Sequence, residues 1–145
     1  GREREYTRVV THQGHPMLEV DCTYLGKQPP DPANFKSDHD YQRTNTDFYA
    51  LTMKNLTDRE IVIVGVKYRL QKGPFRGKTS ASSESIKKQW GTNVIAPHDS
   101  LSRGNNMVFA KAASNTLFKK YSFRTTDETG QTVSFQTELP FVYIR

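Results

Sequence analysis

The chain has 145 residues, of which 34% are hydrophobic and 25% are charged, and it carries a net charge of +6 at pH 7. This length fits one domain with a modest core, and an aromatic content of 11% argues against a disordered chain. The single cysteine, Cys22, excludes an intrachain disulfide framework. The longest apolar run, Ile61–Val66, is too short to span a membrane.

The charge is distributed unevenly along the chain. Residues 61–124 contain 12 Lys or Arg and two acids, a net charge of +10, whereas the remainder contains nine Lys or Arg and 13 acids, a net charge of −4. Such asymmetry is typical of proteins that meet an acidic partner or an anionic polymer.

The chain begins at Gly1 and not at Met. We interpret this as the mark of a removed tag, signal or anchor. We therefore expect an extracytoplasmic protein, periplasmic or secreted, with a cytoplasmic location as the alternative.

The N-terminal part of the chain, residues 1–47, is poorly patterned. Arg4–Val10 and Met17–Leu25 are predicted strands separated by a turn. Residues 26–47 are predicted to form a long loop, because three prolines interrupt regular structure there. A loop of this length indicates either a functional or a mobile segment.

From residue 48 onward a β pattern is clear. Phe48–Leu56 and Glu60–Gln71 are predicted strands. In the second strand apolar residues recur at every second position, and we expect them to form its buried face: Val62, Val64, Val66, Tyr68 and Leu70. The alternate positions change from isoleucine to basic residues at Lys67, so we expect that face to be buried at one end and exposed to solvent at the other.

A break in the chain is predicted at Gly73-Pro74 and Gly77. Ser82–Trp90 then forms the one plausible helix, which ends at Gly91 in the position that favours a left-handed residue. We interpret Trp90 as an anchor of the core.

The C-terminal part is predicted to add further short strands. These are Val94-Ile95, a strand around Met107 and Phe109, Leu117–Thr125, Gln131–Thr137, and a last strand around Phe141 and Tyr143. A five-residue hairpin loop closed by glycine joins the third and fourth of them.

Lys119 does not fit the alternation of its strand. Lys120 and Arg124 share parity with Ser122 and are expected in solvent, but Lys119 shares parity with Tyr121. We expect a β-bulge, or a later start of the strand, to resolve this conflict and leave Lys119 exposed.

Seven to nine short strands and at most one short helix predict an all-β, antiparallel β-sandwich. We expect it to form a single domain, residues 1–145, and its clear β core covers residues 48–145.

Three stretches carry a resemblance to a known class of domain: Val94–Pro97, Tyr121–Arg124 before a glycine-closed hairpin, and the alternating last strand. In these the chain resembles extracytoplasmic immunoglobulin-like or fibronectin-type sandwiches. The resemblance implies an immunoglobulin-like arrangement of strands and no particular activity.

The densest basic run, residues 67–78, is the leading candidate for a binding surface. The candidate binding residues are Lys67, Arg69, Lys72, Phe75, Arg76, Lys78, Lys120 and Arg124. Cations interleaved with a ring suit an anionic chain, because the cations neutralise its charges while the ring stacks. The competing interpretation is a charged strand edge that only prevents aggregation. Whether Lys120 and Arg124 join the patch depends on strand order.

Other motifs are weaker. Histidines near turns, at His12, His15, Asp38-His39-Asp40 and His98-Asp99, are interpreted as surface residues and not as metal ligands. Ser85–Lys88 matches an S-x-x-K pattern by chance. Cys22 lies in no nucleophile context. Asn55-Leu56-Thr57 is a glycosylation sequon on a predicted turn, where a glycan could be attached in a secreted eukaryotic protein.

We therefore expect a non-enzymatic interaction or assembly module that binds a protein or polymer partner through a basic surface, with a protein partner first. The alternative is a binder of anionic polymers, namely nucleic acid, acidic glycan or lipid headgroups. A third possibility is an enzyme or metal carrier whose site is assembled from distant residues. No catalytic residue, cofactor, metal site or oligomeric state is predicted.

Overall fold

The computed structural model of the chain describes residues 5–26, 47–72, 75–108 and 116–142. For residues 70–79, 105–117 and 142 it describes at most the backbone and not the side chains. The described part contains nine strands and one helix, which confirms the predicted all-β sandwich. The elements are β1 Tyr6–His12, β2 His15–Gly26, β3 Asp47–Asn55, β4 Ile61–Lys72, β5 Phe75–Ser82, α1 Ser83–Trp90, β6 Val94–Ile95, β7 Ser100–Val108, β8 Thr116–Thr126 and β9 Thr132–Val142.

The strands form two antiparallel sheets that pack face to face. Sheet 1 has the order β1-β2-β3-β7, and sheet 2 has the order β5-β4-β8-β9, with the short β6 paired to the start of β4. Among the described residues, the fully buried apolar side chains between the sheets come from inward positions of these strands or from α1. The largest of them are Tyr49, Tyr121, Phe123, Phe141, Leu18, Leu51, Met53, Ile61, Ile63, Ile86, Ile95 and Leu139.

The weakly patterned N-terminal part contributes two strands of sheet 1. β1 and β2 form a hairpin whose turn, Gln13-Gly14, has φ values of 51° and 80°. Two successive positive φ values match the right-handed twist of the strands and favour a tight two-residue turn. Residues 27–46, most of the predicted long loop, lie outside the described residues.

The outer edges of β1 and β9 are joined by side chains. The Tyr6 hydroxyl donates to the carbonyl of Pro140 at 3.2 Å, and Arg8 Nη1 donates to the carbonyl of Glu138 at 3.0 Å. These bonds occupy carbonyls that β9, an edge strand, would otherwise leave unpaired.

A β-bulge in β4 corrects the predicted face of that strand. The β4–β8 register shifts between Ile63 and Gly65, so the parity reverses at this point. Ile61 and Ile63 face the core and are fully buried, whereas Val62 lies half-buried on the outer side. The prediction of Val62 and Val64 on the buried face was therefore wrong, while Val66 lies in the core and Tyr68 packs against it, as predicted.

Two predicted interruptions were also wrong. The break at Gly77 is part of β5, which pairs with β4 from Gly65 to Lys72. The two predicted C-terminal strands are one strand, β9, which continues through Pro140. Both are edge strands, where glycine and proline cost little because one side of the strand donates no ladder bonds.

The predicted helix is confirmed. Its N-cap is Ser82, whose side chain accepts the Ser85 N–H at 3.4 Å, and it ends at Gly91 with φ 84°. Trp90 is 8% exposed and meets Tyr121 edge-on at 6.5 Å between ring centroids. Trp90 is thus buried in the core, as its interpretation as an anchor predicted, and the helix packs against β4, β5 and β7.

Candidate functional site

The two strands that carry most of the candidate basic residues are neighbours in the middle of sheet 2. Lys67 of β4 lies directly opposite Lys120 of β8 in the register. Residues opposite each other in a sheet share a face, and both side chains are exposed on the outer face. We call the outer surface around Lys67, Arg69, Lys120 and Arg124 the basic face.

Arg69 on this face is already engaged. Its guanidinium carbon lies 4.8 Å from the centroid of the Phe118 ring, and its Nη2 donates to Glu138 Oε1 at 2.5 Å. Both charged side chains are about one-third exposed or more, so the pair adds at most about 1 kcal/mol of stability. Its main effect is to occupy Arg69 and to cover Phe118.

The other three cations of the basic face behave differently. Lys67, Lys120 and Arg124 form no ion pair with any described side chain. Arg124 lies on the same face as Lys120 but four residues farther along β8, about 13 Å away. The structure therefore brings Lys67, Arg69 and Lys120 together and places Arg124 at the far end of the face.

The remaining candidates lie on the β4–β5 hairpin. They are placed by register, with Lys72 opposite Phe75, Arg76 opposite Gln71 and Lys78 opposite Arg69. Arg76 and Lys78 belong to an edge strand, β5, which runs through the break predicted at Gly77. The side chains of all four candidates lie outside the described residues.

Lys119 is the residue that the sequence interpretation placed wrongly. The β8–β9 register is unbroken past it, because the bulge lies in β4 and not in β8. Lys119 therefore keeps the inward parity of Tyr121 and is 3% exposed, between the two sheets. Its Nζ lies 5.0 Å from the ring centroid of Phe141 and 5.3 Å from that of Tyr68. Two aromatic faces thus contact its ammonium group.

The pKa of Lys119 is lowered to about 7, mainly by burial and also by the charge of Arg103 on β7, against an opposing effect of Cys22. Arg103 faces the same interior and donates from Nη1 to Gln89 Oε1 of α1 at 3.2 Å. The interior of the sandwich therefore contains one basic side chain, Lys119, beside aromatic rings, with the half-buried Arg103 at its margin. The only sign of this in the sequence was the parity conflict at Lys119.

Cys22 belongs to the same interior. It is 1% exposed, and burial raises the pKa of its thiol to about 11. Burial likewise raises the pKa of Tyr6, which hydrogen-bonds Cys22. A buried thiol with a raised pKa is a poor nucleophile at neutral pH, which agrees with its interpretation as a small strand residue.

Asn55 of the sequon is fully buried, which corrects its interpretation as an open glycan site. Its Nδ2 donates to the carbonyls of Arg59 at 2.7 Å and Ile95 at 2.9 Å. Its Oδ1 accepts from the backbone N–H and the hydroxyl of Thr57, both at 2.8 Å. In the folded protein the side chain is fully engaged, and it fixes the loop between β3 and β4.

This loop forms one wall of a shallow pocket of about 400 Å³ at the end of the basic face. We call it the end pocket. It is lined by Asp58, Arg59 and Glu60 from the loop, by Val62 and Pro97, and by Arg124, Thr125, Thr126 and Thr132 from the β8–β9 hairpin. Arg124 thus belongs both to the basic face and to the end pocket.

Histidines do not assemble a metal site in the described part of the chain, where no group of three or more His, Cys, Asp or Glu side chains is placed to hold an ion. His98 Nε2 lies 2.6 Å from Asp58 Oδ1 on the surface. Asp38-His39-Asp40 lies outside the described residues. No helix among the described residues is long and apolar enough to cross a membrane.

Comparison with known proteins supports the architecture. No protein-family model and no curated protein matches the chain. A solved structure, the X-ray structure of Northeast Structural Genomics Consortium target SoR45, is similar with a TM-score of 0.52 and 11% sequence identity, over 87% of this chain and 84% of that chain. At this identity the likeness concerns the fold alone.

Proposed function

We propose that the protein is a non-enzymatic binding module that holds an acidic protein partner against the basic face. The observation that carries this proposal is the pair Lys67 and Lys120. They lie directly opposite each other, both are exposed, and neither forms an ion pair with a described side chain. Two like charges in this position destabilise a sheet by a few tenths of a kcal/mol, roughly, and an anion between them would remove that cost.

The position of the pair argues against a purely protective role. Basic residues that prevent aggregation are expected on edge strands, where unpaired backbone groups attract other chains. Lys67 and Lys120 lie on β4 and β8, the two central strands of sheet 2. A protective edge therefore does not account for them, whereas a contact surface does.

A protein partner fits this face better than a single-stranded nucleic acid does. Sequence-independent binding of single strands combines cations with exposed rings on which bases stack. Among the described side chains of the basic face the one ring is Phe118, and Arg69 covers it. Cations on a flat sheet can meet carboxylates of a protein surface and steer the encounter electrostatically.

We further propose, as the sequence predicts, an immunoglobulin-like topology and an extracytoplasmic location.

Binding to immobilised poly-L-glutamate tests the proposal with a defined acidic polypeptide. We expect the protein to be retained at low salt and released as salt rises, because exposed charges are screened. The double variant Lys67→Glu and Lys120→Glu should lose retention. The matched control, Lys54→Glu and Lys88→Glu, changes the net charge by the same amount at exposed positions away from the basic face and should keep most of it. Equal losses in both variants would show that only net charge matters and would remove the basis of the proposal.

A further inference from the structure

The geometry points to a second contact with the same partner: the end pocket takes one carboxylate of an extended acidic segment, while a carboxylate four residues away in that segment lies on Lys67 and Lys120. This inference rests on the proposed function and adds to it a site, a spacing and a class of ligand. The segment would run along β8, with Arg124 at one end and Lys120 at the other.

The loop side of the end pocket is held in place by hydrogen bonds within the loop and to β8. Asn55 Nδ2 donates to the Arg59 carbonyl at 2.7 Å, and the Arg59 N–H donates to the Thr57 hydroxyl at 3.2 Å. The hydroxyl of Thr125 donates to the Glu60 carbonyl at 2.6 Å and ties the loop to β8. Both walls are therefore fixed before any ligand arrives, which reduces the entropic cost of binding.

The hairpin side of the end pocket is fixed as well. Asp127 Oδ1 accepts from the Thr129 hydroxyl at 2.6 Å, the Thr129 N–H at 2.8 Å and the Gln131 N–H at 3.0 Å. This network closes the β8–β9 turn next to Thr126 and Thr132, two exposed pocket residues that lie opposite each other. Their hydroxyls and the guanidinium of Arg124 can donate to one carboxylate.

The spacing connects the end pocket to the lysine pair. Arg124 and Lys120 are four residues apart on one face of β8, about 13 Å, and four residues of an extended peptide cover the same distance. Both ends of this interval carry cations that form no ion pair with a described side chain. An extended segment with carboxylates at positions i and i+4 can place one carboxylate at Arg124 and the other at Lys120 without a change in the protein's conformation.

The charges of the end pocket favour such a segment over a uniform polyanion. Two acids, Asp58 and Glu60, line it together with Arg59 and Arg124. A nucleic acid carries a phosphate about every 3.4 Å along a duplex strand and would bring several charges against these acids. A peptide with isolated carboxylates brings only one negative charge into the end pocket. The ligand class is therefore an extended peptide with widely spaced acidic residues.

Two labelled peptides of identical composition test the spacing by fluorescence anisotropy. In Glu-Thr-Val-Thr-Glu the carboxylates are four residues apart, and in Thr-Glu-Val-Glu-Thr they are two apart; both sequences favour extended structure. We expect the first to bind about fivefold more tightly, the effect of one additional exposed charge pair. Arg124→Gln should abolish this preference and leave the second peptide unaffected, whereas Lys88→Gln, an equal charge change on α1, should keep it.

The outcomes separate this inference from the proposed function. If both peptides bind equally, or if the preference survives in Arg124→Gln, the end pocket takes no carboxylate, although the basic face still binds acidic peptides. If neither peptide binds and poly-L-glutamate is not retained, both proposals fail together. If oligo-thymidylate of equal charge binds more tightly than either peptide and ignores Arg124→Gln, the ligand is a uniform polyanion and the inference is wrong.

Discussion

Replacing Lys119 by methionine should stabilise the protein near neutral pH. The ammonium is 3% exposed, and its pKa falls from 10.5 to about 7 because burial disfavours the charged form. A shift of this size corresponds to roughly 5 kcal/mol of cost for the charged form. The two ring contacts offset about 2 kcal/mol of it. We therefore expect Lys119→Met to raise the free energy of unfolding by about 3 kcal/mol at pH 6.

The pH dependence gives the more specific test. Between pH 7 and 10.5 the unfolded chain keeps Lys119 protonated while the folded protein holds it neutral, so the unfolded state binds more protons. The free energy of unfolding of the wild type should then rise with pH above about 7, by at most about 1.4 kcal/mol per pH unit. Below pH 7 both states are protonated and the full cost is present.

Urea unfolding at pH 6, 7, 8 and 9, followed by Trp90 fluorescence and by circular dichroism, measures both effects. The difference between Lys119→Met and the wild type should be largest at pH 6 and should shrink towards pH 9. Lys120→Met serves as the control, because Lys120 is exposed on the same strand and its removal should change stability by no more than a few tenths of a kcal/mol, roughly the repulsion between Lys120 and Lys67. A Lys119→Met variant that is less stable at every pH, with an unchanged slope, would refute the reasoning.

Two further predictions concern buried polar groups. Burial raises the pKa of Cys22 from 9.0 to about 11, so between these pH values the folded state binds more protons than the unfolded chain. Titration of this thiol lowers stability as pH rises and opposes the rise caused by Lys119. Between pH 9 and 10.5 the urea transition midpoint should therefore increase more steeply with pH in Cys22→Ala than in the wild type; an unaltered slope would contradict the assignment. Asn55→Ala should destabilise the fold by about 1–3 kcal/mol, since it leaves the Ile95 carbonyl and the Thr57 N–H without their partner. Thermal unfolding measures this loss, and exposed Asp58→Ala, which should cost less than about 0.5 kcal/mol, is the control.

Much of the fold could be predicted because its signals are local. Alternation of apolar residues marked β3 and β8 to within one or two residues of their observed ends. The helix carried its own stop signal in Gly91, which is needed there because its φ is positive. The glycine-closed loop between β8 and β9 was likewise a local turn signal.

The errors in the predicted strands arose where pairing with a neighbouring strand determines which side chains face the core and where a strand ends. The bulge in β4 lies beside Gly65, a glycine inside a strand that was not interpreted as a bulge, and the pairing of β4 with β8 establishes it. Without it, Val62 was assigned to the core, and a bulge was assigned instead to the strand of Lys119. The strands around Gly77 and Pro140 were interrupted in the prediction because edge positions cannot be recognised before strand order is known.

For the basic residues, too, some properties follow from the sequence and others only from the tertiary structure. The sequence by itself determined that one segment is strongly basic, and that Lys67, Lys120 and Arg124 occupy alternate positions that face away from a core, because side chains alternate along any strand. Only the tertiary structure decided that Lys67 lies opposite Lys120 and that Arg124 lines a pocket. Lys67 is more than 50 positions from Lys120 in the chain, and their proximity depends on the order and register of β4 and β8, which are settled by packing between the two sheets and not by local sequence.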